Sequence, residues 1–526
     1  MADRRGNILK SSAGVAVATL ASRILGLFRV MLEARILGGG VAASAWTLAI
    51  MVPNLFRRIL GEGALGSALI PILSEIEEKD GAGKVRYNLS VVFALLSFVL
   101  LVLVGVVGGG AWLALRFIEP VLPANYEHVK LALQLLPLVM PYAFFICLVG
   151  ASGAVLNTRR VFFLPALGAL LLNIFIIATL AWCGWRAVGS PLPLLEYLAW
   201  ATLLAGLLHL LLLVALLWKH DRLPVFSRDA LKNRPMLQKL WRLMLPGVIG
   251  GSATQIGFIV DRSLAAWLGP EAVPALSYTE RIVDLPIGVF ALALGSVLLA
   301  DMSKAAARGD KAEFIEDIAF GLRHVYFVCI PLTAFIVVFR SEILSLLFLG
   351  GRFTAVDLAA ADYAALFYCL GIPIFCAQKV IIPAFHSRKD MKTPLKIALA
   401  AIMLNVVLNL ILMWPLRQGG IALATVLSSS FNNLSLIWIL RRQGYAFKAK
   451  PVISTAVKVL LAAVPAAAAA RFLYAGALSF DLILWKKELV PLLVMSAIFV
   501  FLFTLFAGLL RCPELRENYN LFRRKI

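Results

Sequence analysis

Long apolar runs, broken by short polar and mostly basic stretches, recur along the whole chain. A helix needs about 20 apolar residues to cross a hydrocarbon core. Fourteen runs meet that length: 12–37, 42–73, 88–116, 130–156, 161–185, 193–218, 241–268, 272–300, 323–350, 357–386, 394–414, 420–440, 453–475 and 488–510. The second, eighth and tenth are the least clean, because they contain charges or prolines. The first continues to Leu37 and carries Arg23 and Arg29. A secretory signal has a shorter apolar region and a small-residue cleavage site, so this run is expected to stay as a first transmembrane helix. The pattern predicts an all-α polytopic membrane protein with 14 transmembrane helices.

Composition agrees. Of 526 residues, 61% are hydrophobic and 15% charged, with a mean hydropathy of +0.90. Soluble domains are about 45–50% apolar and about 25% charged. A soluble globular chain and a disordered one are both excluded. The net charge of +21 comes from 50 Lys+Arg against 29 Asp+Glu. In an apolar chain this reads as the positive-inside rule, so no nucleic-acid partner is expected. The basic residues cluster at Arg4, Arg5 and Lys10, at Arg159 and Arg160, over 219–242, at Arg388, Lys389, Lys392 and Lys396, and at Arg516, Arg523, Arg524 and Lys525. Loops of the other parity are sparser in basic residues, with Arg186, Arg352 and Arg417 standing alone. Both termini are therefore expected on the cytoplasmic side, which suits an even number of spans. The six cysteines form no CxxC pair and lie mostly in apolar runs, so they read as buried thiols.

An internal repeat divides the chain. Gly66-Ser67-Ala68-Leu69 resembles Gly295-Ser296-Val297-Leu298, an offset of 229 in sequence number. Arg159 and Pro165 match Arg388 and Pro394 at the same offset, and Ala34 and Leu37-Gly38 match Ala265 and Leu268-Gly269 at 231. Six spans separate the copies. An even number preserves orientation, so the repeats are parallel. The expected plan is two parallel six-helix lobes, 1–220 and 221–445, plus two extra C-terminal helices in 446–526.

Charges inside the spans carry the candidate chemistry. A central Arg or Asp costs about 2.5–3.5 kcal/mol on insertion scales. Arg23 and Arg29 lie in span 1; Arg57, Arg58 and Glu62 in span 2; Asp261 in span 7; Arg281 and Asp284 in span 8. They occupy the leading hairpin of each half. Guanidinium groups keep their charge when buried and grip phosphate by paired hydrogen bonds. The expected ligand is a phosphate- or pyrophosphate-bearing anion, bound by Arg23, Arg29, Arg57 and Arg281. Arg58, Glu62 and Asp284 are expected to pair charges or gate. The alternative is local neutralisation, since Arg29 and Glu33, Arg58 and Glu62, and Arg281 and Asp284 are all one helical turn apart. Pairing leaves the excess of plus over minus unexplained.

Asn405 and Asn409 share one face of span 11, and Thr425 lies in span 12. With Asp261 they offer hard oxygen ligands that suit sodium; the alternative is interhelical hydrogen bonding. His209 is expected to be a packed histidine. No nucleotide-binding loop, nucleophile–base pair or metal-hydrolase spacing is present, so no enzyme and no cofactor beyond a sodium ion is expected.

Several motifs together resemble one family. Ser22-Arg23-Ile24-Leu25-Gly26-Leu27-Phe28-Arg29 is similar to the first-helix signature of the MurJ (MviN) lipid II flippases. So is Pro53-Asn54-Leu55-Phe56-Arg57-Arg58-Ile59-Leu60-Gly61-Glu62-Gly63-Ala64 in span 2. Further matches are Glu280-Arg281-Ile282-Val283-Asp284-Leu285-Pro286, Gly351-Arg352-Phe353-Thr354-Ala355 and Ser387-Arg388-Lys389-Asp390-Met391-Lys392-Thr393-Pro394. The resemblance implies an exporter of the MOP superfamily that moves lipid II, an undecaprenyl-pyrophosphate-linked peptidoglycan precursor, across the bacterial inner membrane. It assigns the cavity arginines to Arg23, Arg29, Arg57 and Arg281, and a sodium site described for some members to Asp261, Asn405, Asn409 and Thr425. The last two helices would form a groove for the lipid tail. The implied partners are lipid II, membrane lipids and the peptidoglycan synthesis machinery, with the chain acting as a monomer. Many relatives carry acids where this chain has Val30 and Ser44, which makes its cavity less acidic. Other polyprenyl-oligosaccharide flippases of the O-antigen type share the phosphate logic. Drug or cation exporters of the superfamily would instead want acids in the cavity. A non-transporting scaffold would leave the arginines dispensable.

Overall fold

Apolar runs of this length leave backbone N–H and C=O groups no partner but each other, so helices are the available structure in lipid. The computed structural model describes residues 21–517 apart from 119, 160, 162, 226–233 and 480–488. Among the described residues it is all-helical; the one β-type contact is an isolated bridge between Gly350 and Phe353.

The chain clusters into two compact units. The first spans Met1–Pro274 together with Gly350–Phe353; the second spans Ala275–Leu349 and Thr354–Ile526. In the first unit, α1 runs over 21–37 and α2 over Val41–Phe56, followed by a π-helical segment π1, Arg57–Gly63. Then come α3 (Ala64–Asp80), α4 (Ala82–Ile118), α5 (Glu127–Val139), α6 (Pro141–Thr158), the short α7 (Phe163–Ala166), α8 (Gly168–Trp185), α9 (Pro191–Lys219) and α10 (Arg234–Leu268). This unit takes in α10, the helix that the sequence repeat makes the opening element of the second half. The second unit holds α11 (Ala272–Pro286) from Ala275 on, the π segment π2 (Ile287–Ala291), α12 (Leu292–Arg308), α13 (Lys311–Val338), α14 (Arg340–Phe348), α15 (Ala355–Cys369), α16 (Ile372–His386), α17 (Lys392–Arg442), α18 (Ala449–Ser479) and α19 (Leu489–Leu509).

Among the described residues, nine helices are long and apolar enough to cross a membrane, or ten if the pair α15 and α16, bent by 42°, counts as one. The chain is a multi-pass membrane protein. Expected runs and helices do not map one to one. The segment α17 is two helices, over the runs 394–414 and 420–440, that meet at Arg417, whose φ of 47° and ψ of −133° are not helical; Asn405 and Thr425, one from each, come within 3.5 Å. The run 42–73 is divided by π1 between α2 and α3, and 272–300 by π2 between α11 and α12.

The two π segments occupy equivalent places in the repeat. Arg57 opens π1, and its equivalent at the repeat offset is Pro286, which π2 follows directly. The packing around them also repeats. In the first unit Gly150 of α6 approaches Gly61 of π1 so closely that a Cβ on Gly150 would overlap the Gly61 carbonyl. In the second unit Gly295 of α12 lies against the backbone carbonyl of Lys379 in α16, and Lys379 is the repeat equivalent of Gly150. In both units a small residue lets one backbone touch another beside a π turn.

Apolar packing joins α3, α4, α6 and α9 around Leu69, Leu89, Val155 and Leu213. A second cluster joins α2, α5, α8 and α9 around Ala45, Leu135, Leu180 and Leu198. In the second unit α13, α18 and α19 pack through Phe327, Ala466 and Phe499. Polar ties hold helix ends. Glu77 binds Arg159 at 3.1 Å and also the buried Arg222. After α19 the fully buried Glu514 accepts from Thr455 Oγ1 at 2.7 Å, and Arg323 reaches Glu517 at 3.2 Å. The outward faces are apolar, with Phe472 of α18 at 79% exposure and Phe501 of α19 at 67%, as lipid-facing surfaces require.

The four residues Gly350–Phe353 seat on the turn after α1. Arg352 donates its backbone N–H to the Arg35 carbonyl at 2.7 Å and its guanidinium to the Val188 carbonyl at 2.5 Å. Gly351 has a φ of +60° and touches the Arg35 carbonyl, so no side chain fits there.

A solvated turn starts α17. Asp390 Oδ1 accepts from the Thr393 N–H at 3.0 Å. Burial would raise this carboxyl. Hydrogen bonds from Thr393 and Lys392 and the charge of Arg388 outweigh that and hold it below the usual carboxylate range. A carboxyl whose pKa is lower in the folded state stabilises the fold above its unfolded pKa, about 3.9, and loses that contribution as pH falls through the folded value. Asp390→Asn should therefore cost about 0.5–1 kcal/mol at neutral pH. The Tm gap between wild type and variant in detergent should narrow on acidification to about pH 3; a gap that stayed constant would show that the charge contributes nothing.

Candidate functional site

In the first unit the site is built on α1, α2 and π1. Arg23 is exposed on α1. Arg29, further along the same helix, is mostly buried and pairs with Glu33 at 3.4 Å. Pro53 sits inside α2 and Arg57 starts π1. Proline removes a backbone donor and clashes with the preceding turn, and a π turn is the neighbouring way to absorb that disturbance; π bulges often mark functional sites. Arg57 Nε donates to Asn54 Oδ1 at 3.2 Å, which fixes the plane of its guanidinium. Arg58 is exposed and donates to Gln255 Oε1 of α10 at 3.1 Å. The expected neutraliser of Arg58, Glu62, lies in π1, and its side chain falls outside the described residues.

The second unit carries Arg281 and Asp284 on α11, the turn before π2. They sit 3.8 Å apart with side chains 48% and 53% exposed. That distance is loose for an ion pair, and screening makes it weak. Asn405 and Asn409, buried on the first half of α17, join Thr425 on the second half. Asn409 Nδ2 donates to Asn405 Oδ1 at 3.1 Å, Asn405 Nδ2 to Thr425 Oγ1 at 3.5 Å, and Thr425 Oγ1 to the Ile421 carbonyl at 3.0 Å. Asp261 lies on α10 in the first unit, partly buried. His209 is buried on α9 against Gly168, where a Cβ would overlap its ring.

Asn54, Gln255 and Arg262 are the polar partners that pattern reading passed over. Arg262 is buried with its guanidinium 4.8 Å from the Phe258 ring centre. Asn54 was visible three residues before Arg57, one helical turn away; nothing in the sequence pairs Arg58 with Gln255.

An all-helical scaffold whose apolar helices are broken beside arginines has the fold of MOP superfamily transporters. The solved structures agree. A multidrug resistance MATE family transporter in an inward-facing conformation matches with a TM-score of 0.65 at 15% identity, covering 82% of this chain and 98% of that one, a likeness of fold alone. A structure described as lipid II flippase MurJ, inward closed conformation, matches with a TM-score of 0.74 at 25% identity, covering 94% of this chain and 98% of that one. The probable lipid II flippase MurJ of Vibrio cholerae is 32% identical over 77% of this chain and 78% of its own length. The lipid II flippase MurJ of Burkholderia cenocepacia is 29% identical over 79% and 80%. The profile of the family described as lipid II flippase MurJ matches residues 33–487. The chain belongs to the lipid II flippase MurJ family, which is a family of transporters and not of enzymes.

Proposed function

We propose that the chain moves lipid II from the inner to the outer leaflet of the bacterial inner membrane by alternating access, with Arg23, Arg29, Arg57 and Arg281 holding the pyrophosphate. Arg57 carries this reading: its guanidinium is oriented by Asn54 at the first residue of a π turn inside an apolar helix. A positioned guanidinium suits a doubly charged phosphate group. The ligand can shift the balance between inward- and outward-open states only through contacts that differ between them. Neutralising arginines that otherwise repel one another is such a difference. Arg58, Glu62 and Asp284 act in this reading as gating or charge-pairing groups.

The same reading has fourteen spans, both termini in the cytoplasm, six-span lobes at 1–220 and 221–445, and a C-terminal pair in 446–526 that takes the lipid tail. The chain works as a monomer beside the peptidoglycan synthesis machinery. Asp261, Asn405, Asn409 and Thr425 are the residues that would hold a sodium ion. Carboxylate, amide and hydroxyl oxygens fit such a hard cation, and Asn405, Asn409 and Thr425 already meet. Bound sodium would supply the energetic coupling to an ion gradient.

The test is replacement of a conditional lipid II flippase deletion by this chain, scored by the accessibility of lipid II in each leaflet. Restored growth with restored outer-leaflet lipid II is expected. A well-expressed, correctly inserted chain that restores neither would point to another polyprenyl-linked substrate.

A further inference from the structure

One end of the second unit gathers cations that its own acids do not neutralise. The segment α17 ends there in a tight turn: Gly444 has a φ of +86°, and the Tyr445 N–H donates to the Leu440 carbonyl at 2.9 Å. The turn sets Tyr445 against Phe314 of α13, with ring centres 5.1 Å apart. Two cations converge on the Tyr445 ring. The Arg388 guanidinium, from the turn between α16 and α17, lies 3.9 Å from its centre. The amine of Lys311, the first residue of α13, lies 5.4 Å from it. Arg388 also donates through Nη1 to Gln443 Oε1 at 2.7 Å. Neither cation makes an ion pair among the described residues. The nearby acids are engaged, Asp390 with the Thr393 N–H at 3.0 Å and Glu313 with Arg308 at 2.5 Å.

The repeat shows that this surplus is particular to the second half. At the offset of 229, Arg388 corresponds to Arg159 and Ala306 to Glu77. In the first unit Glu77 pairs with Arg159 at 3.1 Å. The second has alanine in place of that carboxylate, and Lys311 where the first has Ala82. A topology signal needs only charge. It does not need a guanidinium laid on an aromatic ring and fixed by an amide. The depth of the cluster is also marked. Trp438, one turn before Arg442 at the end of α17, is 52% exposed, with the Arg442 guanidinium 3.8 Å from its ring centre. Tryptophan on an apolar helix favours the membrane–water interface. Tyr445 follows Arg442 by three residues, which puts its cations at the level of lipid headgroups.

We propose that Lys311, Arg388 and Tyr445 form a binding site for the phosphodiester headgroup of an anionic phospholipid, in the inner leaflet in the orientation given above. With Nη1 held by Gln443, the guanidinium keeps further donors for a phosphate. The ammonium adds a point charge with rotatable donors, and basic groups at this depth attract anionic lipid. The site uses none of the residues assigned to the pyrophosphate, and it does not depend on the substrate being lipid II.

The test titrates the full chain, purified in detergent, with phosphatidylglycerol or phosphatidylcholine. Bound lipid is read by native mass spectrometry, and Tm is recorded for each variant without added lipid. Wild type should bind phosphatidylglycerol about tenfold more tightly than phosphatidylcholine. Arg388→Gln should weaken phosphatidylglycerol binding about tenfold, near the net value of one charge-assisted hydrogen bond, and Lys311→Gln about fivefold. Phosphatidylcholine binding and Tm should stay as in wild type. Lys219→Gln removes one exposed charge at the end of α9 in the first unit and should change neither lipid. Wild type with no preference for phosphatidylglycerol would overturn the proposal. Equal losses in Lys219→Gln and Arg388→Gln would reduce the preference to net charge and overturn the site. If Arg388→Gln also lowers Tm, the exposed Lys311 decides, and full phosphatidylglycerol binding by Lys311→Gln overturns the proposal. So would weakened lipid II binding with phosphatidylglycerol binding intact, which would make the cluster a substrate contact.

Discussion

Arg57→Ala should abolish lipid II transport while the protein still inserts and folds. Two charge-assisted hydrogen bonds to phosphate contribute about 3–5 kcal/mol, which is a loss of more than a hundredfold in affinity at about 1.4 kcal/mol per tenfold. Folding should survive. The Nε bond to Asn54 is local to one helical turn, and removing a charged group from an apolar helix lowers the cost of insertion. The measurement is lipid II accessibility in the outer leaflet, read beside the amount of inserted protein. Asn54→Ala supplies a finer reading: the guanidinium remains but its plane is no longer held, so binding should fall by about tenfold rather than vanish. An Arg57→Ala chain that flips lipid II normally would refute the arginine-grip mechanism.

Gly150→Ala should destabilise the first unit by about 1–3 kcal/mol, the range for adding a methyl group where no space exists. The obstruction is the carbonyl, carbonyl carbon and Cα of Gly61, all backbone, so no rotamer change relieves it. Either α6 moves away or π1 deforms, and π1 begins with Arg57. Loss of stability should therefore come with loss of lipid II binding. Gly153→Ala, one turn further along α6, is the comparison. There a Cβ would meet only the Pro165 ring at 3.5 Å, an ordinary contact, and stability should stay within about 0.5 kcal/mol. Equal Tm values for Gly150→Ala and wild type would mean that the close approach of α6 and π1 is unimportant.

The membrane class, the all-helical fold and the charged positions were legible in the sequence because each rests on a strong local penalty. Repeated runs of some twenty apolar residues cannot be solvated by water, and an arginine inside such a run stands out. The π turns were not legible. A π turn is a choice of backbone hydrogen-bond partner, and Pro53 or Pro286 marks a disturbance without saying how it is absorbed. The pairing of Arg29 with Glu33 followed from spacing, whereas Arg58 reaches Gln255 on α10, a choice set by tertiary packing. The separation of the runs 394–414 and 420–440 was legible because the polar stretch around Arg417 reads as a turn, and the backbone leaves the helix at that residue.

The π turns also change how the faces of their helices must be read. Each adds residues to a turn without adding a turn, so the angular position of every later residue slips by about 100°, the rotation of one residue in an α-helix. A helical wheel drawn through 41–80 or 272–308 as one continuous helix would therefore point all residues after the slip in the wrong direction. Deleting a single residue from Arg57–Gly63 would leave the composition of the span almost unchanged. It would nonetheless swing the whole of Ala64–Asp80 about its axis, turning the residues that now face α4 and α6 elsewhere.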